Sequence, residues 1–151
     1  MLFLTLQIGG APYALDCANV VEIVPMVHLR EIPNAPRFVR GVFQYRGRVV
    51  PVIDLCSLAG FDNARALLST RIILVCLRDS EGRERVLGLL AEQVMETVRA
   101  EESTLIDSGI AIEDSPYLGK MLTCPQGLVQ CIRPEALVSA SLGHALFPVE
   151  Q

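Results

Sequence analysis

Residues 41–55, GVFQYRGRVVPVIDL, carry the clearest structural signal in the sequence. It contains two runs rich in β-branched and aromatic residues around an Arg-Gly pair, a pattern typical of a β-hairpin. Gly47 can adopt the positive φ that a tight hairpin turn demands. The segment from Asp54 to Gly60 then predicts a short helix that closes this unit.

The residues before this hairpin predict a second hairpin, a short helix and a loop. Leu2–Ile8 and Tyr13–Leu15 have strand spacing and flank the turn sequence Gly9-Gly10-Ala11-Pro12. From Asp16 to Val24 a capping residue is followed by apolar residues at positions 20, 23 and 24, which predicts a helix ended by Pro25. The prolines at 25, 33 and 36 then favour an extended loop.

The residues after the hairpin repeat this order of elements. We expect strands at 71–77 and 86–90 around a polar turn, then a hairpin bracketed by Gly119 and Gly127 and a last element at 134–137. Residues 13–15 and 20–24 align with 87–89 and 94–98 without a gap. The repetition predicts two related subdomains, each a small β-barrel with a short helix or two. The acidic segment 99–116 is expected to be a surface loop or short helix, and the tail to be frayed.

Length, charge and cysteine content argue against several classes of protein. A chain of 151 residues, 51% apolar and 20% charged, is expected to form one globular domain with a well-filled core. The net charge of −4 disfavours nucleic acid as a partner. The first residues lack the features of a secretion signal and no apolar run can span a bilayer, so we expect a cytoplasmic protein without direct membrane insertion. The five cysteines have no close pair and predict reduced core thiols, without a metal or cofactor site.

The sequence gives little support for catalysis. It has no Gly-x-Ser-x-Gly motif, no phosphate-binding glycine loop and only two histidines, His28 and His144. A phospho-receiver domain is one alternative, because Asp54 follows an apolar strand, although the acidic pair, the lysine and the alternating βα units of such domains are missing. A β-barrel that binds a small ligand in the seam between its halves is a second alternative. A self-assembling scaffold is a third.

Residues 41–55 resemble the signature of the CheW-like family, which reads Gly-Val, about three residues, Arg-Gly, a short spacer, then Val-Pro-Val-Ile-Asp-Leu. Further matches are 13–16 before 21–23, the proline-rich approach 32–36, and 86–91 before Val94. This chain has Phe43-Gln44-Tyr45 where the family often has an Asn-Leu pair. Residues 68–72 with 116–119 look most like the coupling proteins of Wsp-type surface-sensing arrays, whose output is a response regulator that makes cyclic di-GMP.

The resemblance implies a mainly β fold of two five-stranded β-barrels around a shared apolar seam. One domain would cover residues 1–140, with subdomains at roughly 7–69 and at roughly 1–6 plus 70–138, and a tail at 139–151. It further implies a non-catalytic adaptor that bridges a chemoreceptor tip and the regulatory domain of a CheA-like histidine kinase in membrane-proximal arrays. Weak self-association through CheW-like rings is also expected.

The family's partner-binding residues match six positions of this chain: Val20, Glu22, Gly41, Val42, Arg46 and Gly47. In the family, an acidic residue on the early helix, matched by Glu22, lies near the arginine of the Arg-Gly turn, matched by Arg46, beside the receptor-binding groove. Val20 and Val42 match apolar neighbours of that groove. Gly41 matches a glycine at which the backbone must stay unobstructed. We expect the valines to supply contact area and the charged pair to set register.

Overall fold

The computed structural model describes residues 1–79, 81–110, 115–125 and 127–138. Across these residues it has ten strands: β1 (Leu2–Ile8), β2 (Ala11–Asp16), β3 (Val20–Pro25), β4 (Val39–Tyr45), β5 (Arg48–Asp54), β6 (Arg71–Arg78), β7 (Glu84–Arg99), β8 (Leu105–Ile106), β9 (Leu118–Cys124) and β10 (Gly127–Ile132). The helical segments of the same residues are short: the α-helix α1 (Leu55–Leu58) and 3₁₀ turns at Cys17–Asn19, Glu102–Thr104 and Pro134–Val138. The expected mainly β class with a few short helices is confirmed.

The long strand β7 joins two groups of strands. Its first half pairs antiparallel with β6 and parallel with β5, and these extend the group to β3 and β4. Its second half pairs antiparallel with β1, after which the order continues β2, β10, β9 and β8. The change of partner falls between Ala91 and Glu92, next to Gln93, whose φ of 48° locally bends the strand. The subdomain boundaries expected from the sequence, and the closure of each group into a barrel, stay predictions.

The core is apolar and extends through both groups of strands. Residues Ile72–Val75 of β6 are all fully buried, as expected for a strand covered on both faces. A smaller cluster lies in the second group and consists of Phe3, Ala14, Leu122, Val129 and Cys131. The five cysteines are free thiols. Burial, with a smaller contribution from the charge of Asp16, raises the pKa of Cys131 to about 11, so this thiol stays protonated at neutral pH.

The helix predicted between Asp16 and Val24 is wrong. Asp16 does cap, accepting a hydrogen bond from the amide of Ala18, but the cap starts only the 3₁₀ turn Cys17–Asn19. The chain then extends as β3, whose residues alternate between half-buried and exposed positions. The valines and the isoleucine of this segment are β-branched and favour a strand, and pairing with β6 outweighs their partly helical spacing.

Most other predicted elements are found where the sequence places them, but the strand expected at 86–90 is only part of β7, which continues to Arg99. The hairpin at 41–55 is β4–β5, the opening hairpin is β1–β2, and the glycine-bracketed hairpin is β9–β10. Of the segment 99–116, the described part holds a 3₁₀ turn and β8. The tail at 139–151 lies outside the described residues. None of the helices in the described residues is long and apolar enough to cross a membrane.

Candidate functional site

The turn between β4 and β5 places one arginine at an exposed tip. Arg46 and Gly47 both have positive φ, 49° and 78°, the combination that defines a type I′ turn and matches the twist of the two strands. A Cβ on Gly47 would meet nothing within 4 Å, so backbone conformation and not space requires a glycine there. The Arg46 side chain is 76% exposed as a result of this placement.

Glu22 of β3 meets the tip of this hairpin. Its Oε2 lies 3.6 Å from Nη2 of Arg46 and accepts a hydrogen bond from the hydroxyl of Tyr45. The guanidinium carbon of Arg46 lies 5.2 Å from the centroid of the Tyr45 ring, within the range of a cation–π contact. The hydrogen bond to Glu22 is the main cause that raises the pKa of Tyr45 above its ordinary value. We call these three residues the Glu22–Tyr45–Arg46 cluster.

Gly41 allows a close approach of two backbone segments. Its φ is 140°, and a Cβ there would lie 2.4 Å from the carbonyl oxygen of Arg30, in the connection between β3 and β4. The neighbouring residue Val42 exchanges two backbone hydrogen bonds with Arg30, each of 2.9 Å. The connection therefore lies against β4 as an isolated bridge, which only a residue without a side chain at position 41 permits.

The two predicted valines lie beside these contacts and are half-buried. Val20 pairs with Val75 of β6 and packs against the core, whereas Val42 pairs with Pro51 of β5. Of the six predicted residues, Glu22 and Arg46 are thus brought into side-chain contact, and Gly41 and Val42 meet at the Arg30 bridge. Large apolar side chains are exposed on β3, on the connection after it and on β5: Val21, Ile23, Val27, Ile32 and Val49.

Nearly the whole chain matches one family model, that of the CheW-like domain, which aligns with residues 2–142. The chain belongs to the CheW-like domain family. The assignment made from the 41–55 signature is confirmed.

Known relatives show how far this likeness extends. Chemotaxis protein CheW of Helicobacter pylori is 28% identical over 103 residues, which are 68% of this chain and 59% of that protein. The probable chemotaxis protein CheW of Rhizobium etli is 26% identical over 141 residues, 92% of this chain and 88% of that protein. The crystal structure of the scaffolding protein TtCheW from Thermoanaerobacter tengcongensis superposes with a TM-score of 0.80 at 23% identity, covering 93% of this chain and 89% of that one. The chain thus covers less than two thirds of the Helicobacter protein, and the structural likeness shows the fold.

Asp54 has a structural role in this CheW-like domain. Its side chain is fully buried, and Oδ1 accepts hydrogen bonds from the amides of Cys56 and Ser57, which caps α1. Oδ2 accepts from the amide of Ala64 and from Nη1 of Arg40, each at 2.8 Å. A phosphate acceptor must be reachable from solvent with an oxygen available for attack, and neither condition holds. The receiver alternative at Asp54 is therefore wrong.

Tyr45 is the site residue that the sequence did not single out. Period-two spacing from Phe43 places both rings on one face of β4, where they form an edge-to-face pair with centroids 6.4 Å apart. That spacing was readable from the sequence. The partner of the hydroxyl was not, because Glu22 lies 23 residues away and was expected on a helix.

A cleft of about 980 Å³ lies where the two groups of strands meet. Its lining combines apolar side chains such as Phe3 and Leu118 with charged side chains. Two of the charged pairs neutralise each other, Arg78 with Glu84 at 3.8 Å and Arg133 with Glu135 at 3.3 Å. Within the described stretches no three His, Cys, Asp or Glu side chains come together as metal ligands.

Proposed function

We propose that this CheW-like domain is a non-catalytic adaptor that couples a chemoreceptor, a methyl-accepting chemotaxis protein, to a CheA-like histidine kinase. The observation that carries the proposal is the Glu22–Tyr45–Arg46 cluster, a charged group at an exposed hairpin tip, together with the exposed apolar side chains that β3 and β5 carry. Such a surface can bind a protein partner without any bond being made or broken. Signalling would then pass through contacts.

The chemistry of this surface fits a helical receptor tip. Val21 and Ile23, 50% and 41% exposed, offer apolar area that becomes favourable only when a partner covers it. Arg46 and Glu22 supply polar contacts that fix orientation, and mismatched partners would leave them unpaired. As an isolated pair they contribute little to folding, below about 1 kcal/mol, because both are exposed. Their value therefore lies in recognition.

The second partner in this proposal is the regulatory domain of the kinase, which itself resembles a CheW-like domain. Like folds can pack through related ends of their sheets, which also accounts for the weak self-association into rings that we expect. In the cell, the protein would be cytoplasmic and held near the membrane by receptors. We further propose a Wsp-type surface-sensing array with a cyclic di-GMP output, on the basis of residues 68–72 and 116–119.

The test is a binding measurement with two purified partners from the same organism, a receptor cytoplasmic tip and the kinase regulatory domain. We expect the protein to bind both, and Arg46→Ala to weaken receptor binding by about tenfold, or about 1.4 kcal/mol. Kinase binding and the melting temperature should stay nearly unchanged. Arg83→Ala is the matched control, because Arg83 is also an exposed turn arginine with a glutamate, Glu81, at 3.6 Å.

Failure of a folded sample to bind either partner would overturn the adaptor proposal. Equal effects of Arg46→Ala and Arg83→Ala would leave an adaptor but remove the cluster from the receptor contact. The alternative of a small-ligand binder has one observation in its favour, the cleft of about 980 Å³ between the strand groups. It would gain support if a screened small molecule saturably raised the melting temperature while neither protein partner bound.

A further inference from the structure

Glu22 contacts Arg46 without forming a hydrogen bond to it. Their closest atoms are 3.6 Å apart, which is beyond the length of a normal hydrogen bond. The hydroxyl of Tyr45, in contrast, donates a hydrogen bond to the same oxygen, Glu22 Oε2. Tyr45 therefore holds Glu22 in place, and the ion pair is secondary.

The Arg46 guanidinium contacts the Tyr45 ring and is otherwise largely exposed to solvent. It lies over the Tyr45 ring, and that ring is in turn supported by Phe43, which packs against the core. Among the residues that the structure describes, no atom accepts a hydrogen bond from the Arg46 side chain, which is 76% exposed. Since a guanidinium carries five N–H donors in a planar fork, these donors remain available to a partner.

We propose that Tyr45 is a positioning and specificity residue of the receptor contact, and that it aims Arg46 at a carboxylate on the partner. The inference rests on the proposed function. A guanidinium held at an aromatic ring by a cation–π contact keeps its N–H donors available for bidentate recognition of an acidic side chain. By donating a hydrogen bond to Glu22, the Tyr45 hydroxyl also keeps this carboxylate from binding Arg46 in place of the partner's carboxylate.

Two substitutions separate the functions of the hydroxyl and the ring. Tyr45→Phe keeps the ring under Arg46 and removes the bond to Glu22, so we expect receptor-tip binding to weaken by about fivefold. Tyr45→Leu removes both and should approach the effect of Arg46→Ala, about tenfold. Tyr13→Phe is the matched control, because it removes a tyrosine hydroxyl from β2, outside the cluster. None of the three should change binding to the kinase regulatory domain.

A double-mutant cycle distinguishes positioning from a merely structural or independent contact. If Tyr45 acts through Arg46, Tyr45→Phe will have no further effect on receptor binding in an Arg46→Ala background. Two results would overturn the inference and leave the adaptor function standing. One is that the effects of the two substitutions on receptor binding are additive. The other is that the Tyr45 variants bind the receptor like wild type while Arg46→Ala does not. Wild-type protein that binds neither partner would instead overturn the proposed function, and the inference with it.

The partner's carboxylate is tested with the receptor tip itself. Replacing its exposed acidic residues one at a time by the corresponding amides should identify a position at which wild-type binding falls by about tenfold and Arg46→Ala binding does not change. The loss at that position should be smaller in Tyr45→Leu, where the fork is no longer held on a ring. If no acidic position is coupled to Arg46, the partner does not present a carboxylate and this part of the inference is wrong.

Discussion

Removing the carboxylate of Asp54 should destabilise the fold strongly, because this group holds three segments together. It caps α1, accepts from the amide of Ala64 in the connection to β6, and pairs with Arg40 of β4. Because the Asp54 side chain is fully buried, its contacts in the folded protein are made with protein groups and not with bulk water. Asp54→Ala abolishes all of them, whereas Asp54→Asn keeps one oxygen.

The magnitude follows from what each contact leaves behind. Loss of a cap costs about 1 kcal/mol, and breaking a buried charged pair costs about 3–5 kcal/mol. The Arg40 side chain is 24% exposed and can turn toward solvent, so the lower part of that range applies. We expect Asp54→Ala to lose about 4 kcal/mol of unfolding free energy, or about 10 °C in Tm. Asp54→Asn should lose about half as much, because its amide nitrogen would face the two donors of Arg40 and Ala64.

Urea unfolding monitored by circular dichroism measures these differences, with the m-value showing whether the transition stays two-state. Asp62→Ala is the control, since Asp62 is fully exposed and lies 3.9 Å from Arg37 in another aspartate–arginine pair. It should change the unfolding free energy by less than about 0.5 kcal/mol. A loss of less than about 1 kcal/mol for Asp54→Ala, or one no larger than that of the control, would show that the carboxylate does not hold these segments together.

Two further substitutions test the close backbone approach at Gly41 and the pairing of Glu92 with Arg65. Gly41→Ala should lower the free energy of unfolding in urea by about 3 kcal/mol, because the new Cβ would meet the carbonyl of Arg30. Gly10→Ala is the control: Gly10 also has a positive φ, 81°, but open space around it, so the loss should be only about 1 kcal/mol. Equal losses in the two variants would contradict the clash at position 41. Although burial works to raise the pKa of Glu92, the hydrogen bonds and charge of Arg65 hold this pKa below its usual range. This stabilisation is present above about pH 4.3, the unfolded pKa, and is lost as the pH falls through the folded pKa. Glu92→Gln should therefore have a lower melting temperature than wild type at pH 7, and this difference should narrow as the pH falls below the unfolded pKa. A difference that stays constant between neutral and acidic pH would show that the charge of Glu92 is not the cause.

Local turn chemistry explains which elements could be predicted from sequence. The β4–β5 hairpin depends on neighbouring residues alone, with positive φ at Arg46 and Gly47 between two β-rich runs. The α1 helix likewise needs only Asp54 and the amides that follow it. The order and kind of these elements are therefore encoded within about fifteen residues, so they could be read directly.

Long-range pairing explains what could not be predicted. Val20–Pro25 forms a strand because it pairs with β6, some fifty residues further along the chain, and its apolar spacing alone fits a helix as well. Because this segment was predicted to be a helix, the contact of Glu22 with Tyr45 was not predicted either. Glu22 and Arg46 came from the family resemblance, whereas the bond that holds Glu22 depends on the register of two strands that do not follow each other in sequence.

The Glu22–Tyr45–Arg46 cluster lies between β3 and β4, two of the described strands of the first group, which do not pair with each other. Its position determines which of its residues can be replaced to test recognition alone. Among the described strands β3 pairs with β6 and β4 pairs with β5, and no strand pairing joins β3 to β4. The Tyr45–Glu22 bond crosses this gap, and the Arg30–Val42 bridge ties the connection between the two strands to β4. Replacing Glu22 would remove one of these links and mix a change in structure with a change in recognition. Replacing Arg46 leaves both links intact, because its contact with Glu22 is long and its side chain is mostly exposed. A loss of receptor binding in Arg46→Ala can therefore be attributed to the missing guanidinium.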